Sequence, residues 1–296
     1  MLDKKPIFRA DHVGSLLRPQ AVKDARKACL EDATIDSAAL AQVEDKAIRQ
    51  AVVMQQSAGL KAVTDGEYRR SFWHYDFMGH LTGFELVERD QGLKFSDAVL
   101  RPIFPTIPGK LDFPDDHPMP AHSTYLASVA DVQPKISIPG PFCCHFRTAA
   151  SDILPAEYAD LDVLFADITE PYAKAVKTFY AAGCRYLQMD DIFFAYLCDP
   201  KIRAEKKEQG FDPDWLVSRY AQMMCEAIQD RPSDMTIAMH GCRGNFQSAW
   251  MAEGAYDPVA DAMFNQTGID VFFLEYDTER AGGLAPVRLL PKGNQR

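Results

Sequence analysis

TIAMHGC, residues 236–242, is a short β-rich apolar run that ends abruptly in His, Gly and Cys. Five similar runs occur elsewhere in the chain, and longer stretches with apolar residues at helical spacing separate them. The predicted strands span residues 8–13, 61–64, 135–138, 185–189, 236–239 and 271–274, and the clearest helical stretches span residues 37–58, 158–182, 214–229 and 258–264. This alternation predicts βαβ units around a parallel sheet.

The strand count and the chain length together predict an α/β fold, a (β/α)8 TIM-type barrel that lacks its last one or two β/α units. One such barrel fills 296 residues, so we assign residues 1–296 to a single, C-terminally incomplete catalytic domain. Eight strands close a barrel of this type, and only six are predicted here. We therefore expect either a native polypeptide that continues past Arg296 or association through the open side into a homo-oligomer. Residues 81–113 predict an inserted hairpin with a long loop.

Composition excludes several classes of protein. The net charge of −10 argues against a nucleic-acid partner, because phosphate binding needs clustered Lys and Arg. No apolar run approaches the length of a membrane span or of a signal peptide. Seven cysteines without an export signal favour reduced thiols in a cytoplasmic protein over a disulfide framework.

His240 and Cys242 are the strongest chemical signal in the sequence. Residues two apart near a strand end project to the same side, so an imidazole and a thiol can meet one ion there. Zinc favours this pair of ligand types. A buried His and Cys without a metal is an equally open interpretation, because free Cys is common in protein cores.

Three carboxylates also follow predicted strands: Glu67, Asp190 and Glu275. A carboxylate at the end of a buried strand is costly unless it is paired or ligated. The carboxyl ends of barrel strands are also where catalytic groups collect. Each of the three alone is equally well explained as an N-cap or a loop ion pair. Together at one barrel mouth they predict a common site.

Five segments, in this order, resemble the catalytic half of cobalamin-independent methionine synthase, and above all its short single-barrel relatives. These segments are His12-Val13-Gly14-Ser15, TDGEYRR at residues 64–70, Gln188-Met189-Asp190-Asp191, His240-Gly241-Cys242 and Phe273-Leu274-Glu275. The resemblance covers nearly the whole chain. It implies a cytoplasmic S-methyltransferase of methionine biosynthesis, similar to 5-methyltetrahydropteroyltriglutamate–homocysteine methyltransferase, with Zn²⁺ as its cofactor.

The resemblance also implies roles for the metal ligands. His240, Cys242 and Glu275 would bind zinc, and His240 and Glu275 would act in catalysis, Glu275 as the ligand that yields its place to the incoming thiol. A metal ligated by sulfur keeps that sulfur deprotonated, and only the thiolate is a good nucleophile. The implied reaction is methyl transfer to homocysteine through a zinc-bound thiolate, giving methionine.

Further roles follow for the amino-acid end of the substrate. Glu67 and Asp190 would hold the amino group of homocysteine, and the backbone at Gly14 and Ser15 its carboxylate. His12 is a further candidate substrate-binding residue, although a single His at a strand end is more often a structural hydrogen-bonding residue.

The sequence departs from the family pattern near its end. The family takes a fourth zinc ligand, a cysteine, and a proton-handling residue from segments that follow the last residues here, and its folate-using members carry a second, N-terminal barrel. The methyl donor therefore stays open between a folate and a methylated corrinoid. Cys143, Cys144 and Cys198 are spare thiols, best explained as buried packing. Residues 138–141 match a family loop near the donor or form a tight turn.

Three alternative functions remain open. The chain could transfer an alkyl group to another thiol with zinc, or it could be a non-catalytic truncated barrel that binds zinc without turnover. It could also be a metal-free lyase of the uroporphyrinogen decarboxylase type, which would need clustered arginines and would not use His240 with Cys242. Metal content separates the lyase from the other two, and a methyl-transfer assay separates an enzyme from a remnant.

Overall fold

A computed structural model of the chain describes residues 10–89, 103–244, 250–276 and 278–292. The strands are β1 (Ala62–Val63), β2 (Glu85–Glu88), β3 (Ile103–Thr106), β4 (Gln133–Pro134), β5 (Ile136–Pro139), β6 (Tyr186–Asp191), β7 (Thr236–Gly241) and β8 (Val271–Leu274). The α-helices are α1 (Gln20–Leu30), α2 (Ser37–Ser57), α3 (Tyr75–Met78), α4 (Met119–Val129), α5 (Cys143–Arg147), α6 (Leu161–Ala181), α7 (Phe193–Tyr196), α8 (Pro200–Glu208), α9 (Pro213–Ile228) and α10 (Ala260–Asn265). Short 3-10 helices span Ala150–Asp152, Ala156–Ala159, Glu279–Ala281 and Ala285–Leu289.

The main sheet consists of parallel strands in the order β5-β6-β7-β8. A second parallel pair, β1 with β4, continues this arrangement, because a single residue, Lys135, separates β4 from β5. The backbone N–H of Lys135 donates to the carbonyl oxygen of Val63 at 2.9 Å, which extends the pairing with β1. The parallel α/β fold predicted from the alternating pattern is therefore confirmed for these strands.

One face of the parallel strands carries a shared buried cluster. Ala62, Tyr186 and Ala238 share a buried cluster, and the side chains of Val271 and Phe273 pack against it. These residues come from β1, β6, β7 and β8, so strands that are not neighbours in the sheet contribute to one cluster. Closure of these strands into a barrel stays a prediction.

Helices cover the opposite face of the sheet, and aspartate caps set where the main ones begin. The side chains of Asp36, Asp160 and Asp212 accept backbone N–H groups at the starts of α2, α6 and α9. Such caps typically stabilise a helix by about 1 kcal/mol. Helices α6 and α9 then pack against each other over a buried aromatic core that includes Tyr172 and Tyr220.

Two predicted elements differ from the structure. Residues 10–13 form no strand, and residues 8–9 lie outside the described part. The carbonyl groups of His12 and Val13 instead accept hydrogen bonds from the Lys135 and Gln188 side chains. The helix predicted at residues 158–182 begins only at Leu161, because Asp160 is extended and caps α6, and a 3-10 helix precedes it.

The inserted hairpin is confirmed at both of its ends. Strands β2 and β3 are antiparallel, with Glu85 opposite Thr106, and Thr82 bridges to Asp112. Residues 90–102, which would contain its loop, lie outside the described residues. Of the helices in the described ranges, none combines the length and the apolar character that crossing a membrane requires. The extent of the domain stays a prediction.

Candidate metal and substrate site

His240, Cys242 and Glu275 converge at the carboxyl ends of β7 and β8. His240 lies opposite Phe273 and Gly241 opposite Leu274 in the parallel register, so the residues that follow the two strands meet. One ligand atom from each of the three side chains lies within 4.8 Å of the others. All three residues are half-buried.

The chemistry and spacing of these three groups fit a zinc ion. An imidazole nitrogen, a thiol sulfur and a carboxylate oxygen are zinc ligand types, and three protein ligands leave a position open for a substrate. Tetrahedral ligand atoms at zinc distances are separated by roughly 3.3–3.8 Å. Since the ligand atoms lie within 4.8 Å of one another, the cluster needs a contraction of at most about 1.5 Å.

Asp190 of β6 stands directly beside His240 of β7, its partner in the register. Its Oδ1 lies 3.5 Å from His240 Nδ1. Burial lowers the pKa of His240, but Asp190 and Glu275 outweigh this effect and the net shift is upward. A proton on Nδ1 directed at Asp190 leaves Nε2 as the nitrogen with a free lone pair. Metal-ligating histidines are commonly oriented by such a carboxylate.

Asp191, the next residue in the motif, has a structural role. Its carboxylate accepts the backbone N–H groups of Phe193 at 2.7 Å and of Phe194 at 3.1 Å, at the start of α7. Complete burial raises the pKa of Asp191 to about 7 against the opposing effect of these two bonds. Its carbonyl oxygen accepts the N–H of Cys242 at 2.7 Å, which helps to place that thiol.

Glu67 lies in a strained turn that follows β1. Both Gly66 and Glu67 have positive φ, at 65° and 57°. The N–H of Glu67 donates to Asp65 Oδ1 at 2.9 Å, an aspartate turn that tolerates this conformation. Arg18 then clamps the turn, since its Nη2 donates to the carbonyl oxygens of Glu67 at 2.8 Å and Arg70 at 2.6 Å. A non-glycine residue in this region costs of order 1–3 kcal/mol, so the surrounding bonds maintain it.

The Glu67 carboxylate faces the same region as Asp190, and both residues are only 7% exposed. Glu67 Oε1 lies 3.4 Å from Ser137 Oγ and 3.9 Å from Arg70 Nη1. Burial raises the pKa of Glu67, Arg70 opposes that rise, and the charge of Asp190 adds to it. Two buried acids that repel each other form a site suited to a cation.

The N-terminal segment runs past these acids. Gln188 Nε2 donates to the Val13 carbonyl at 2.9 Å, and the N–H of Leu16 donates to the Gly66 carbonyl at 3.1 Å. Gly14 and Ser15, between these anchors, are exposed. His12 is half-buried, and its Nε2 has no hydrogen-bond partner among the described residues.

The structure brings some of the predicted site residues into contact and links others only indirectly. His240, Cys242 and Glu275 form one cluster, and Asp190 contacts His240. Glu67 is linked to Asp190 by charge and to the N-terminal segment through its turn.

The spare thiols behave as packing residues. Cys143, Cys144 and Cys198 are buried, with exposures of 0%, 0% and 3%. Burial raises the pKa of both Cys144 and Cys198 to about 12, so these thiols stay protonated.

Sequence reasoning missed three buried polar residues around the site. Lys135 and Gln188 bind the N-terminal segment, and Gln188 could have been noticed because it opens the motif that contains Asp190. Arg243 follows Cys242 directly and is 1% exposed. Its three guanidinium nitrogens have no hydrogen-bond partner in the described ranges, and the group lies over the Tyr256 ring at 4.6 Å.

Comparison with known proteins gives concordant matches. The family model described as cobalamin-independent synthase, catalytic domain, matches residues 8–263. The uncharacterized proteins YxjG and YxjH of Bacillus subtilis are 41% and 40% identical to this chain, over 98% of its length and 76% of theirs. A solved structure from Listeria monocytogenes, provisionally named a vitamin-B12 independent methionine synthase, is similar with a TM-score of 0.77 at 37% identity, over 98% of this chain and 78% of that one. More distantly, the 5-methyltetrahydropteroyltriglutamate–homocysteine methyltransferase of Mycobacterium leprae is 27% identical over 66% of this chain and 24% of that protein.

Proposed function

Because this chain belongs to the cobalamin-independent synthase family, whose catalytic-domain model matches residues 8–263, we propose that it methylates the thiol of homocysteine in a zinc-dependent reaction that yields methionine. The observation that carries the proposal is the approach of the His240, Cys242 and Glu275 ligand atoms to within 4.8 Å of one another. The two buried acids beside this cluster, Glu67 and Asp190, support an amino acid as the thiol substrate.

The three ligands would have different roles at the metal. Zinc, when bound there, would supply the positive charge that keeps a substrate thiol deprotonated at neutral pH. Cys242 and His240 are the tighter ligand types, and Asp190 orients the imidazole of His240. Glu275 follows β8, which pairs with β7 alone in the described ranges, and its carboxylate is the ligand we expect to give up its place most readily.

Charge complementarity would hold the other end of homocysteine. An α-ammonium group between Glu67 and Asp190 relieves the repulsion between two carboxylates that are each 7% exposed. Hydrogen bonds from an ammonium to carboxylates are among the stronger ones in proteins. The exposed backbone at Gly14 and Ser15 is then the expected partner of the substrate carboxylate.

The transfer step is a nucleophilic displacement at the methyl carbon. The thiol first loses its proton, and the sulfur lone pair then forms the new S–C bond. The bond between the methyl group and the donor breaks, and its electron pair stays on the donor. We expect the donor to be an N-methyl folate or a methylated corrinoid.

Metal analysis and a product assay test the proposal together. Zinc per chain is measured on the purified protein by elemental analysis, and methionine formation is followed with homocysteine and each class of donor. Cys242→Ser should lose both zinc and activity, and Cys29→Ser, on α1, is the control that should keep both. A zinc-free protein that forms methionine at the full rate, or a zinc-loaded protein that forms none with either donor, would contradict the proposal.

The alternative functions give different outcomes in the same assays. A zinc-loaded protein that alkylates simple thiols but not homocysteine would be an alkyltransferase with another acceptor. A metal-free lyase is disfavoured because Arg18 and Arg70 are already engaged by carbonyl groups of Glu67, Arg70 and Ser137. That leaves Arg243, over the Tyr256 ring, without a cluster of arginines around it in the described ranges. Zinc binding without any turnover would leave the non-catalytic barrel.

A further inference from the structure

Lys135, between β4 and β5, is a buried lysine whose ammonium group faces three oxygen atoms. The residue is 1% exposed. Its Nζ lies 2.9 Å from Asp11 Oδ1, 2.5 Å from the His12 carbonyl oxygen and 2.9 Å from Gln188 Oε1. A lysine ammonium has three N–H donors and no acceptor, so its neighbours here are all oxygens: two that accept hydrogen bonds, from His12 and Gln188, and one of Asp11 that forms an ion pair.

The charge on Lys135 fixes the orientation of the Gln188 side chain. The ammonium cannot accept a hydrogen bond, so the amide oxygen of Gln188 must face it and the NH₂ group must point away. Gln188 is 0% exposed, and its Nε2 donates to the Val13 carbonyl at 2.9 Å and to Asp190 Oδ1 at 2.6 Å. An amide with all of these groups satisfied has a single orientation.

Asp11 balances the charge of this network. One of its carboxylate oxygens pairs with Lys135, and the other accepts the hydroxyl of Tyr186 at 2.8 Å. The ammonium of Lys135 thereby touches Asp11 and the His12 carbonyl directly and reaches Asp190 through one amide. Lys135 and Gln188 therefore hold two parts of the proposed homocysteine site. One is the segment that continues to Gly14 and Ser15, and the other is the carboxylate of Asp190.

We propose that Lys135 and Gln188 are positioning residues that set the distance between the carboxylate-binding backbone and the ammonium-binding acid. This proposal rests on the proposed function, because it assigns those two parts to an α-amino-acid thiol. The pair touches neither the metal ligands nor the sulfur. Its role is to discriminate an amino-acid thiol from a simple thiol.

Gln188→Met is the direct test, because it removes the amide and leaves the Lys135–Asp11 pair in place. We expect the dissociation constant for homocysteine to rise about tenfold or more, since a charge-assisted hydrogen bond to Asp190 is lost. Zinc per chain and the affinity of the zinc-loaded protein for 2-mercaptoethanol should stay unchanged. Tyr186→Phe is the matched control: it removes a bond to Asp11 in the same network, and homocysteine affinity should stay within about twofold of wild type.

A double variant separates positioning from simple stabilisation. Lys135→Met alone leaves a buried Asp11 unpaired and should lower the melting temperature or prevent folding. Asp11→Asn combined with Lys135→Met removes both charges and should recover most of that stability, because a buried pair replaced as a whole is often neutral. Homocysteine affinity should not recover with it. An affinity that returns together with stability, or that is unchanged in Gln188→Met, would overturn the proposal.

Hydrogen exchange provides a readout that needs no homocysteine. Peptides covering residues 10–18 should exchange faster in Gln188→Met and in the double variant than in Tyr186→Phe, because the segment loses its anchors. A wild-type protein that binds no homocysteine would refute the proposed function, while the exchange data would still report on the anchoring. Equal exchange in all variants would refute the anchoring itself.

Discussion

At the scale of single residues, the site is a group of acids arranged around one imidazole. Asp190 and Glu275 both raise the pKa of His240 against the effect of its burial. Glu67 adds a further buried carboxylate, opposed at 3.9 Å by Arg70. The excess of acidic groups in a half-buried space makes cations, a metal ion and an ammonium group, the ligands that this site favours.

The metal ligands should contribute unequally. We expect Cys242→Ser to lose most of its zinc and Glu275→Gln to keep much of it, because thiolate and imidazole are the tighter ligand types. The measurement is zinc per chain after dialysis against a chelator of graded strength. Full zinc occupancy in Cys242→Ser alongside loss in Glu275→Gln would reverse this assignment.

Glu67→Gln and Asp190→Asn should each weaken homocysteine binding about ten- to a hundredfold. Each variant removes a charged partner of the substrate ammonium group, and such a hydrogen bond contributes about 1.5–3 kcal/mol. Glu67→Gln should keep its zinc. Asp190→Asn should also bind zinc about tenfold more weakly, because Asp190 lies 3.5 Å from His240 Nδ1. Calorimetric titration with homocysteine and with zinc separates the two effects, and unchanged homocysteine affinity in both variants would point to a thiol that is not an amino acid.

At the scale of elements, strand register decides which side chains meet. In β7 and β8 the register places Gly241 opposite Leu274, so Cys242 and Glu275 follow side by side. A shift by one residue would turn His240 to the other face of the sheet. The turn after β1 also positions a site residue, Glu67, since Arg18 donates hydrogen bonds to two carbonyl oxygens of this turn.

The Arg18 clamp gives a prediction for the turn at residues 64–70. Arg18→Met should raise the dissociation constant for homocysteine about tenfold, because the left-handed Glu67 loses the bonds that maintain it. Zinc binding should stay at the wild-type level. Arg49→Met, at an exposed arginine on α2, is the control and should change neither affinity. Equal homocysteine affinity in the two variants would show that the turn holds without its clamp.

The sequence predicted five of the six strands because each is an apolar run bounded by turn residues, and such runs need only local information. It failed at residues 10–13, since the hydrogen bonds of that segment go to Lys135 and Gln188, which are far away in the chain. The strand-end acids and the His-Cys pair could be named from their positions. Lys135 could not, because its role exists only once three distant segments are assembled.

At the scale of the whole molecule, β8 is the last strand of the four-stranded sheet in the described part of the chain. In the described ranges β8 pairs with β7 alone, and all four of its residues are half-buried. An unpaired strand edge presents free N–H and C=O groups to other chains. Covering this edge is therefore a requirement of the fold and not of the chemistry.

We accordingly expect the 296-residue chain to associate through this edge when it is produced alone. Sedimentation equilibrium should give a mass that exceeds 33.1 kDa and rises with protein concentration. Association should weaken in 1 M urea before the helices unfold, because edge contacts bury little surface. A strictly monomeric protein with one cooperative unfolding transition would show that the β8 edge is not an interaction surface.

The left-handed backbone at Glu67 places substrate binding in conflict with thermal stability. Glycine adopts a φ of 57° without steric penalty, and it would also remove a buried carboxylate whose pKa burial raises. Glu67→Gly should therefore melt at a higher temperature than the wild type while it binds homocysteine poorly. Variants selected for thermal stability alone would therefore tend to carry glycine at position 67 and to lose the proposed ammonium site. A selection for a heat-stable enzyme has to include catalytic activity.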